Sequence, residues 1–262
     1  MKLNLHARLD YQAPEATDIL LHIEAALCPD QIIEQAHIHL PGSPHIARVP
    51  AQDGIGERIW LQVEGQFVIE YEATVSIQRT LADIATLQKT PHYQLPGETV
   101  PYLMASRYCP SDRFHDFVTA EFGTLDHGPL VLAMRQWIVD HLHYTPGSSD
   151  AMTTAADTFI SRHGICRDYA HLLITFARAA GIPARIASVY ALKLDPPDFH
   201  AVAEVFLDGA WHLIDATALA SEAAMVRIGI GRDAADVAFL TSFGPITMNA
   251  QSVMVESSGR AL

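Results

Sequence analysis

The stretch SRHGICRDYAHLLITFARAAGIPARI, residues 161–186, says most about the fold, because a glycine and a cysteine precede a strongly helical run. Apolar residues recur there at i, i+3, i+4, i+7, i+8 and i+11, a spacing that predicts a helix with one buried stripe. The stripe consists of Tyr169, Leu172, Leu173, Phe176, Ala177 and Ala180, while Arg167, His171, Thr175 and Arg178 lie off it. We expect the helix to end at Gly181, with Pro183 beyond it.

Cys166 stands just before the stripe, in the cap or first turn of this helix. Backbone N–H groups have no partner there, and the helix dipole is positive. This environment favours the thiolate over the thiol, which makes Cys166 a candidate nucleophile. Gly164 is expected to let the backbone turn sharply and to keep the approach to the sulfur open. The alternative interpretation is that Cys166 is a small buried hydrophobe.

The next strands supply a candidate base and a carboxylate. DFHAVAEVFL and AWHLID read as two strands joined by Asp208-Gly209, which is a strong hairpin signal. If these two residues form the turn, Leu207 pairs with Ala210, and His200 lies one diagonal step from Asp215 on the same face. A register shifted by one residue would place the two side chains on opposite faces.

The chain order cysteine, histidine, aspartate meets the requirements of nucleophilic acyl transfer. A carboxylate at Asp215 would hold the ring of His200 in one tautomer, so that the free nitrogen exchanges a proton with Cys166 and with a leaving group. Each residue also has a simpler interpretation: a histidine on a strand is often structural, and an aspartate at a strand end often forms a turn. The three together favour the catalytic interpretation.

The first hundred residues have β-rich patterning. Short runs with alternating apolar residues are separated by turn-forming stretches such as PGSP and QDGIGE. The runs are LNLHARLDY, ILLHIEAAL, IIEQAHIHL, RIWLQVEG and FVIEYEATVSI. Repeated short strands joined by turns predict an antiparallel β-sandwich domain over residues 1–100. The stretch 90–103 has three prolines and a glycine and is the expected linker.

Residues 101–262 have a different pattern. SDRFHDFVTAEFG, GPLVLAMRQWIVDHLHY and TTAADTFISRHG predict three helices before the one that follows Cys166. PARIASVYALKL predicts a strand that precedes the hairpin described above. Helices followed by an antiparallel sheet predict an α+β domain.

The composition excludes several classes of function. The formal net charge is −13, and the arginines are scattered, so no basic cluster is present to bind nucleic acid or an anionic membrane. No apolar run is long enough to span a bilayer, and the start of the chain does not resemble a signal peptide. The three cysteines have no CxxC spacing, which is typical of reduced thiols in the cytoplasm. We therefore expect a soluble cytoplasmic protein.

Three blocks of the sequence resemble the transglutaminase-like superfamily, specifically its bacterial cysteine-protease branch. They are the G-x-C-x-D-[FY]-A-H block around Cys166, the H-A-x-x-E-V block that begins at His200, and the W-x-x-x-D-x-T block around Asp215. SRYCPSD and RIGIGRDAADVAFL are similar to flanking segments of the same branch, so the resemblance covers about residues 102–247. The β-rich first part is similar to a domain that often precedes this one.

This resemblance implies an activity and a role for each residue. Cys166 would be the nucleophile, His200 the general base and acid, and Asp215 the residue that orients His200. The core would be papain-like, with helices packed on an antiparallel sheet. The reaction would be acyl transfer at an amide of a peptide or protein, by hydrolysis, deamidation or cross-linking. No metal or cofactor would be needed for catalysis. The oligomeric state stays open.

One feature departs from the family pattern. Animal transglutaminases and papain-type proteases carry a Trp or Gln shortly before the cysteine that helps to hold the oxyanion, and TAADTFISRHGI has neither. The backbone N–H of Cys166 is one candidate donor, and His163 or Tyr169 is a second. Arg167 stands where animal transglutaminases have Trp, which argues against a simple carry-over of cross-linking. The alternative function is a weakly active or inactive module for peptide binding or assembly.

Several other residues have a chemical and a structural interpretation. We expect Cys28 and Cys109 to be structural, and we expect no zinc site at the two His-x-His pairs, since no third ligand has suitable spacing. These pairs are His37 with His39, and His141 with His143. Arg167 and Asp168 are either substrate contacts or, in the case of Asp168, a favourable charge at the helix start. His171 either lines the cleft or is solvated, and Trp211 is expected to fill the core.

Overall fold

The computed structural model describes residues 1–258, which form twelve strands and five α-helices. The strands are β1 (Lys2–Leu21), β2 (Gln31–His39), β3 (Ile46–Pro50), β4 (Glu57–Ile77), β5 (His143–Tyr144), β6 (His163–Gly164), β7 (Ala184–Ala191), β8 (His200–Leu207), β9 (Ala210–Ile214), β10 (Met225–Gly231), β11 (Leu240–Ser242) and β12 (Thr247–Ser257). The helices are α1 (His115–Phe122), α2 (His127–His141), α3 (Ala155–Ser161), α4 (Cys166–Ala179) and α5 (Ala234–Val237). None of these helices is long and apolar enough to span a membrane.

The first sheet is built on two long antiparallel strands, β1 and β4. Its hydrogen-bonded order is β11-β1-β4-β2, with β12 also paired to β1 and β3 also paired to β4. Odd-numbered residues of both long strands, such as Leu3, Leu9 and Ile69, are buried, and even-numbered ones mostly face outward. This period of two is the pattern expected of a sheet with one face in the core.

The predicted short strands are joined in pairs into these long ones. LNLHARLDY and ILLHIEAAL were expected as separate strands, but β1 runs from the first into residues 19–21 of the second and ends there, so residues 22–27 are not strand. RIWLQVEG and FVIEYEATVSI were also expected as separate strands, but β4 runs through both. Gly65 has φ +72°, and the β1–β4 register shifts between Ala13 and Thr17. Since a bulge bends a strand without ending it, both strands continue past this point.

The last two strands, β11 and β12, belong to the first sheet. β12 pairs with the first half of β1, and β11 pairs with its end. Both strands fall in the range 101–262 that the sequence analysis assigns to the second domain. The division at residue 100 stays a prediction.

The second sheet is antiparallel with the order β10-β7-β8-β9. Asp208 and Gly209 both have positive φ, at 47° and 75°, as a tight hairpin turn requires. Leu207 pairs with Ala210, so the predicted register is confirmed. Helix α4 packs on β7 and β8 of this sheet. The predicted α+β class, with an antiparallel β-rich part followed by helices packed on an antiparallel sheet, is confirmed.

Helix α4 is buried on more than its predicted stripe. His171 and Thr175 have 0% exposure and Arg178 has 2%, although we expected them off the buried face. The reason is that the chain after the linker covers this side of the helix. Arg178 donates hydrogen bonds to the carbonyl oxygens of Met104, Ala184 and Arg232. Each of its three guanidinium nitrogens therefore has an acceptor, although the side chain is buried.

The buried face of the first sheet contacts the second sheet. Tyr190 in β7 and Val226 and Ile228 in β10 belong to the same apolar cluster as the core residues of β1 and β4. The Tyr190 hydroxyl donates to the carbonyl oxygen of Ile23 at 2.7 Å. A Cβ atom at Gly229 in β10 would lie 2.2 Å from Cε1 of the buried His22, so glycine allows this close approach.

An ion cluster at the same junction explains the glutamate of the H-A-x-x-E-V block. Glu204 has 0% exposure, and its carboxylate accepts from Nε of Arg185 at 2.7 Å and from Nε of Arg227 at 2.6 Å. Arg227 also donates to Asp30, which follows the first strand. Burial would raise the pKa of Glu204, but the two arginines outweigh it and hold the pKa below its usual range. Glu204 on β8 therefore pairs with arginines of β7 and β10 in its own sheet, Arg227 connects this cluster to Asp30, and Glu204 is not part of the cleft.

We expect Glu204→Ala to lower the free energy of unfolding by about 3–5 kcal/mol, because it removes the fully buried carboxylate that both arginines share and leaves them with the partly exposed Asp53 and Asp30. Urea denaturation followed by circular dichroism measures this change. Glu70→Ala is the matched control, since Glu70 pairs with Arg8 at 3.0 Å on the exposed face and its loss should cost less than about 1 kcal/mol. Equal losses in the two variants would contradict this interpretation of the cluster.

Candidate active site

Cys166 is the first residue of α4, and its side chain is partly exposed. Oδ2 of the buried Asp168 accepts the N–H of Ile165 at 2.9 Å, which caps the helix start. Gly164 was expected to allow a sharp turn, but its φ is not in the left-handed region; a Cβ atom there would lie 2.8 Å from the Asp168 side chain. Gly164 is therefore needed to make room for the capping residue that orients Cys166.

His200 and Asp215 lie on neighbouring strands, as the predicted register required. His200 is the first residue of β8, and Asp215 follows the last residue of β9. Nε2 of His200 is 3.1 Å from Oδ2 of Asp215, and both side chains have 0% exposure. The diagonal placement across the hairpin thus brings the two side chains into hydrogen-bond contact.

Asp215 is held by several groups besides His200. Its Oδ1 accepts from the N–H and the hydroxyl of Thr217 at 2.9 and 2.7 Å, which explains the threonine of the W-x-x-x-D-x-T block. Its Oδ2 also accepts the N–H of Ala220 at 3.0 Å. Burial would raise the pKa of Asp215, but the hydrogen bonds from His200 and Thr217 outweigh it and lower the pKa. The side chain is thus a fixed carboxylate.

The second ring nitrogen of His200, Nδ1, is buried and makes no hydrogen bond to the described part of the chain. Burial lowers the pKa of His200, but interactions with Asp215 and with the Cys166 thiol outweigh it and raise the pKa to about 10. The ring is therefore protonated at neutral pH, contacts the Asp215 carboxylate on one side and lines the same cleft as Cys166.

A cleft of about 550 Å³ opens beside Cys166 and His200. Its walls are mainly apolar and include Leu194 and Phe199, which precede β8. Phe239 and Leu240, from the segment that returns to the first sheet, form another part of the wall. The cleft therefore offers an apolar surface beside Cys166. The sequence analysis did not anticipate the contribution of residues 239–240.

The two predicted second donors do not line the cleft. His163 is exposed, and its Nδ1 lies 3.0 Å from Oγ1 of Thr145, while Tyr169 is only 4% exposed. A residue that the sequence analysis missed, Tyr144, lines the cleft instead, and the nearby Cys166 thiol helps to raise the pKa of its phenol. No motif around Tyr144 signals this, because its position depends on the pairing of β5 with β6.

The other candidate residues have structural contacts. Arg167 lines the cleft and donates to the carbonyl oxygen of Asp150 at 2.8 Å and to Oδ1 of Asp168 at 3.1 Å. His171 was expected to be in the cleft or solvated, but it is fully buried, because it stacks on Tyr108 and accepts the N–H of Ala234. Trp211 packs edge-on against Tyr102.

The remaining cysteines and histidines form no second centre. Cys109 is buried, and burial raises the pKa of its thiol to about 12. Burial also raises the pKa of Cys28, which lies away from the cleft of Cys166. Within residues 1–258, no three His, Cys, Asp or Glu side chains form a group that could hold a metal ion.

Comparisons with known proteins find a matching family model and similar structures. The family model described as the transglutaminase-like superfamily matches residues 119–216, which include Cys166, His200 and Asp215. A crystal structure named "a Putative Cysteine Protease from Cytophaga hutchinsonii" has a TM-score of 0.95 and 34% identity and covers 100% of this chain and 92% of that chain. The periplasmic domain of TgpA from Pseudomonas aeruginosa has a TM-score of 0.45 and 18% identity, covering 81% of this chain and 76% of that chain.

A curated relative matches over a shorter stretch. The uncharacterized protein ML0607 of Mycobacterium leprae is 28% identical over 116 residues, which are 41% of this chain and 42% of the relative. The match thus spans less than half of that relative's length. Because the Cytophaga relative is similar along the whole chain and the family model covers the site, the chain belongs to the transglutaminase-like superfamily.

Proposed function

We propose that the protein is a cysteine-dependent enzyme that transfers acyl groups from amide bonds of peptides or proteins. The observation that carries this proposal is the position of His200: its Nε2 contacts Asp215, its Nδ1 has no hydrogen-bond partner within residues 1–258, and its ring lines the same cleft as Cys166. The site opens into a cleft, so a substrate can reach the sulfur. We propose that residues 101–262 carry all three side chains as the catalytic domain.

In the first step, the thiolate of Cys166 attacks the carbonyl carbon of the amide. A C–S bond forms, and the π electron pair of the carbonyl moves to the oxygen. When the carbonyl re-forms, the C–N bond breaks, and the leaving nitrogen takes the proton from Nδ1 of His200. The amine departs, and a thioester remains on Cys166.

In the second step, water or an amine attacks the thioester carbon. Nδ1 of His200 accepts the proton of the attacking group, and the C–S bond breaks to regenerate the thiolate. Water gives a carboxylic acid, which is peptide hydrolysis or deamidation, and an amine gives a new amide, which is cross-linking. Asp215 keeps the ring oriented throughout, because its carboxylate is fixed by Thr217 and Ala220.

We further propose a cytoplasmic location. All three cysteines are unpaired, as is usual in a reducing compartment, and the proposed reaction requires a free thiol at Cys166.

Selective alkylation tests the activation of the thiol. We expect iodoacetamide near pH 7 to modify Cys166 at least about ten times faster than Cys28, because His200 and the helix start stabilise the thiolate only at Cys166. Peptide mapping by mass spectrometry measures both rates in one sample, so Cys28 is an internal control. His200→Ala should reduce the difference, because only the helix start then favours the thiolate of Cys166. If Cys166 reacts no faster than Cys28, the thiol is not activated and the proposal is wrong.

The substrate class is tested with a diverse peptide library, with and without an added primary amine. We expect mass changes that depend on Cys166, as cleavage, deamidation or amine incorporation. Peptide binding that survives Cys166→Ala, without turnover by the wild type, would instead favour the binding module as the function.

A further inference from the structure

Tyr144 is placed beside Cys166 by a short parallel pairing. β5 and β6 pair His143 with His163 and Tyr144 with Gly164, two residues before the nucleophile. The N–H of His143 donates to the carbonyl oxygen of Arg162 at 2.8 Å, and the N–H of Thr145 donates to that of Gly164 at 2.9 Å. The backbone of Tyr144 is thus held by bonds on both sides.

The phenol of Tyr144 projects into the cleft. Its ring packs against that of the buried Tyr169, with the two centroids 5.9 Å apart. Tyr144 itself is 40% exposed. Its side chain lines the same cleft as Cys166, and the thiol lies near enough to raise the pKa of the phenol. The phenol donates no hydrogen bond to another described residue, so its proton is available to a ligand.

The protonation state of Tyr144 suits a donor. Burial raises its pKa to about 12, and the nearby Cys166 thiol acts in the same direction, while the backbone N–H of Cys166 opposes them. The phenol therefore stays neutral, with its O–H proton in place, over the whole range in which a thiolate enzyme works.

The backbone N–H of Cys166 is a second donor at the same place. It belongs to the first residue of α4, where N–H groups have no partner within the helix. Both residues line the cleft in which a substrate carbonyl would meet the sulfur, which places two candidate donors there. Oxyanion stabilisation requires such preorganised donors.

We propose that the Tyr144 hydroxyl and the Cys166 backbone N–H together form the oxyanion hole of this enzyme. This inference rests on the proposed acyl transfer. As the C–S bond forms, the carbonyl π pair moves to the oxygen, which accepts one hydrogen bond from the Tyr144 O–H and one from the Cys166 N–H. Neither proton is transferred, and both bonds weaken when the carbonyl re-forms. Tyr144 thereby supplies the donor that the sequence before Cys166 lacks.

Two reactions of the Cys166 thiol show whether Tyr144 stabilises an oxyanion or instead changes the reactivity of the sulfur itself. Alkylation by iodoacetamide displaces iodide and forms no oxyanion, whereas acylation by p-nitrophenyl acetate passes through one. We expect Tyr144→Phe to slow acylation of Cys166 by about 10²–10³-fold, the usual effect of losing one oxyanion donor, and to leave the alkylation rate within about two-fold. Release of p-nitrophenol measures acylation, and peptide mapping measures alkylation.

Tyr169→Phe is the matched control, because it removes the hydroxyl of the neighbouring tyrosine, and Tyr169 does not line the cleft. It should leave both rates unchanged. If Tyr144→Phe acylates at the wild-type rate, Tyr144 is not a donor. If both reactions slow in parallel, Tyr144 acts on the sulfur and the oxyanion proposal is also wrong. A wild-type protein in which Cys166 neither alkylates selectively nor acylates would instead overturn the proposed acyl transfer itself.

Discussion

Replacing Cys166 by alanine is expected to reduce kcat for amide turnover by about 10⁶-fold, to the residual rate that substrate binding alone supports. The reason is that Cys166 provides the thiol that lines this cleft, and neither of the other cysteines within residues 1–258 lines it. Of the other two cysteines, Cys109 is sealed in the core and Cys28 does not line this cleft. Turnover of a peptide identified in the library measures the loss.

Cys28→Ala is the control for this variant, and it should retain wild-type kcat and KM. The double variant Cys166→Ala with His200→Ala should be no worse than either single variant, because residues that act as one unit are strongly non-additive. Effects that multiply in the double variant would show that His200 works independently of Cys166, and the proposed mechanism would then be wrong.

Asp215→Asn is expected to reduce kcat by about 10⁴-fold while the fold stays intact. Both carboxylate oxygens of Asp215 accept hydrogen bonds, from His200 and Ala220 on one side and from Thr217 on the other. An amide has only one acceptor oxygen, so its NH₂ group must face a donor. If the NH₂ group faces His200, it forces Nε2 to accept and moves the ring proton to Nδ1, where it can no longer take a proton from the thiol.

Steady-state kinetics on the same peptide measures this effect, and a thermal unfolding curve verifies that the protein is folded. Asp208→Asn is the matched control, since Asp208 is exposed in the turn and asparagine accepts its positive φ of 47°. An Asp215→Asn enzyme within ten-fold of the wild type would mean that the carboxylate does not orient His200.

The contact between His200 and Asp215 was accessible to sequence reasoning because a local signal specifies it. Asp208-Gly209 imposes a two-residue turn, the turn sets the register, and the register puts both side chains on one face. The position of Cys166 at a helix start was equally readable, since the apolar period of α4 begins directly after it. The catalytic roles of all three residues stay predictions until the variants above are measured.

The function of the remaining motif residues was not accessible in this way. Glu204 belongs to the histidine block but joins two arginines of its own sheet. Thr217 holds Asp215, and Asp168 caps the start of α4. Their spacing in the sequence marks them as important, but only their contacts show that they support the site from outside the cleft.

Periodicity, caps and turns act over a few residues, so the sequence was sufficient for the α+β class, the start of α4 and the hairpin that carries His200 and Asp215. Contacts between distant residues depend on how the whole chain packs, and the folded chain was needed to find them. It shows that β12 completes the first sheet, that α4 is buried on nearly all sides and that Tyr144 lies beside Cys166. The physical reason is that such contacts join segments far apart in the sequence. They depend on how the whole chain buries its apolar surface, and no short segment specifies them.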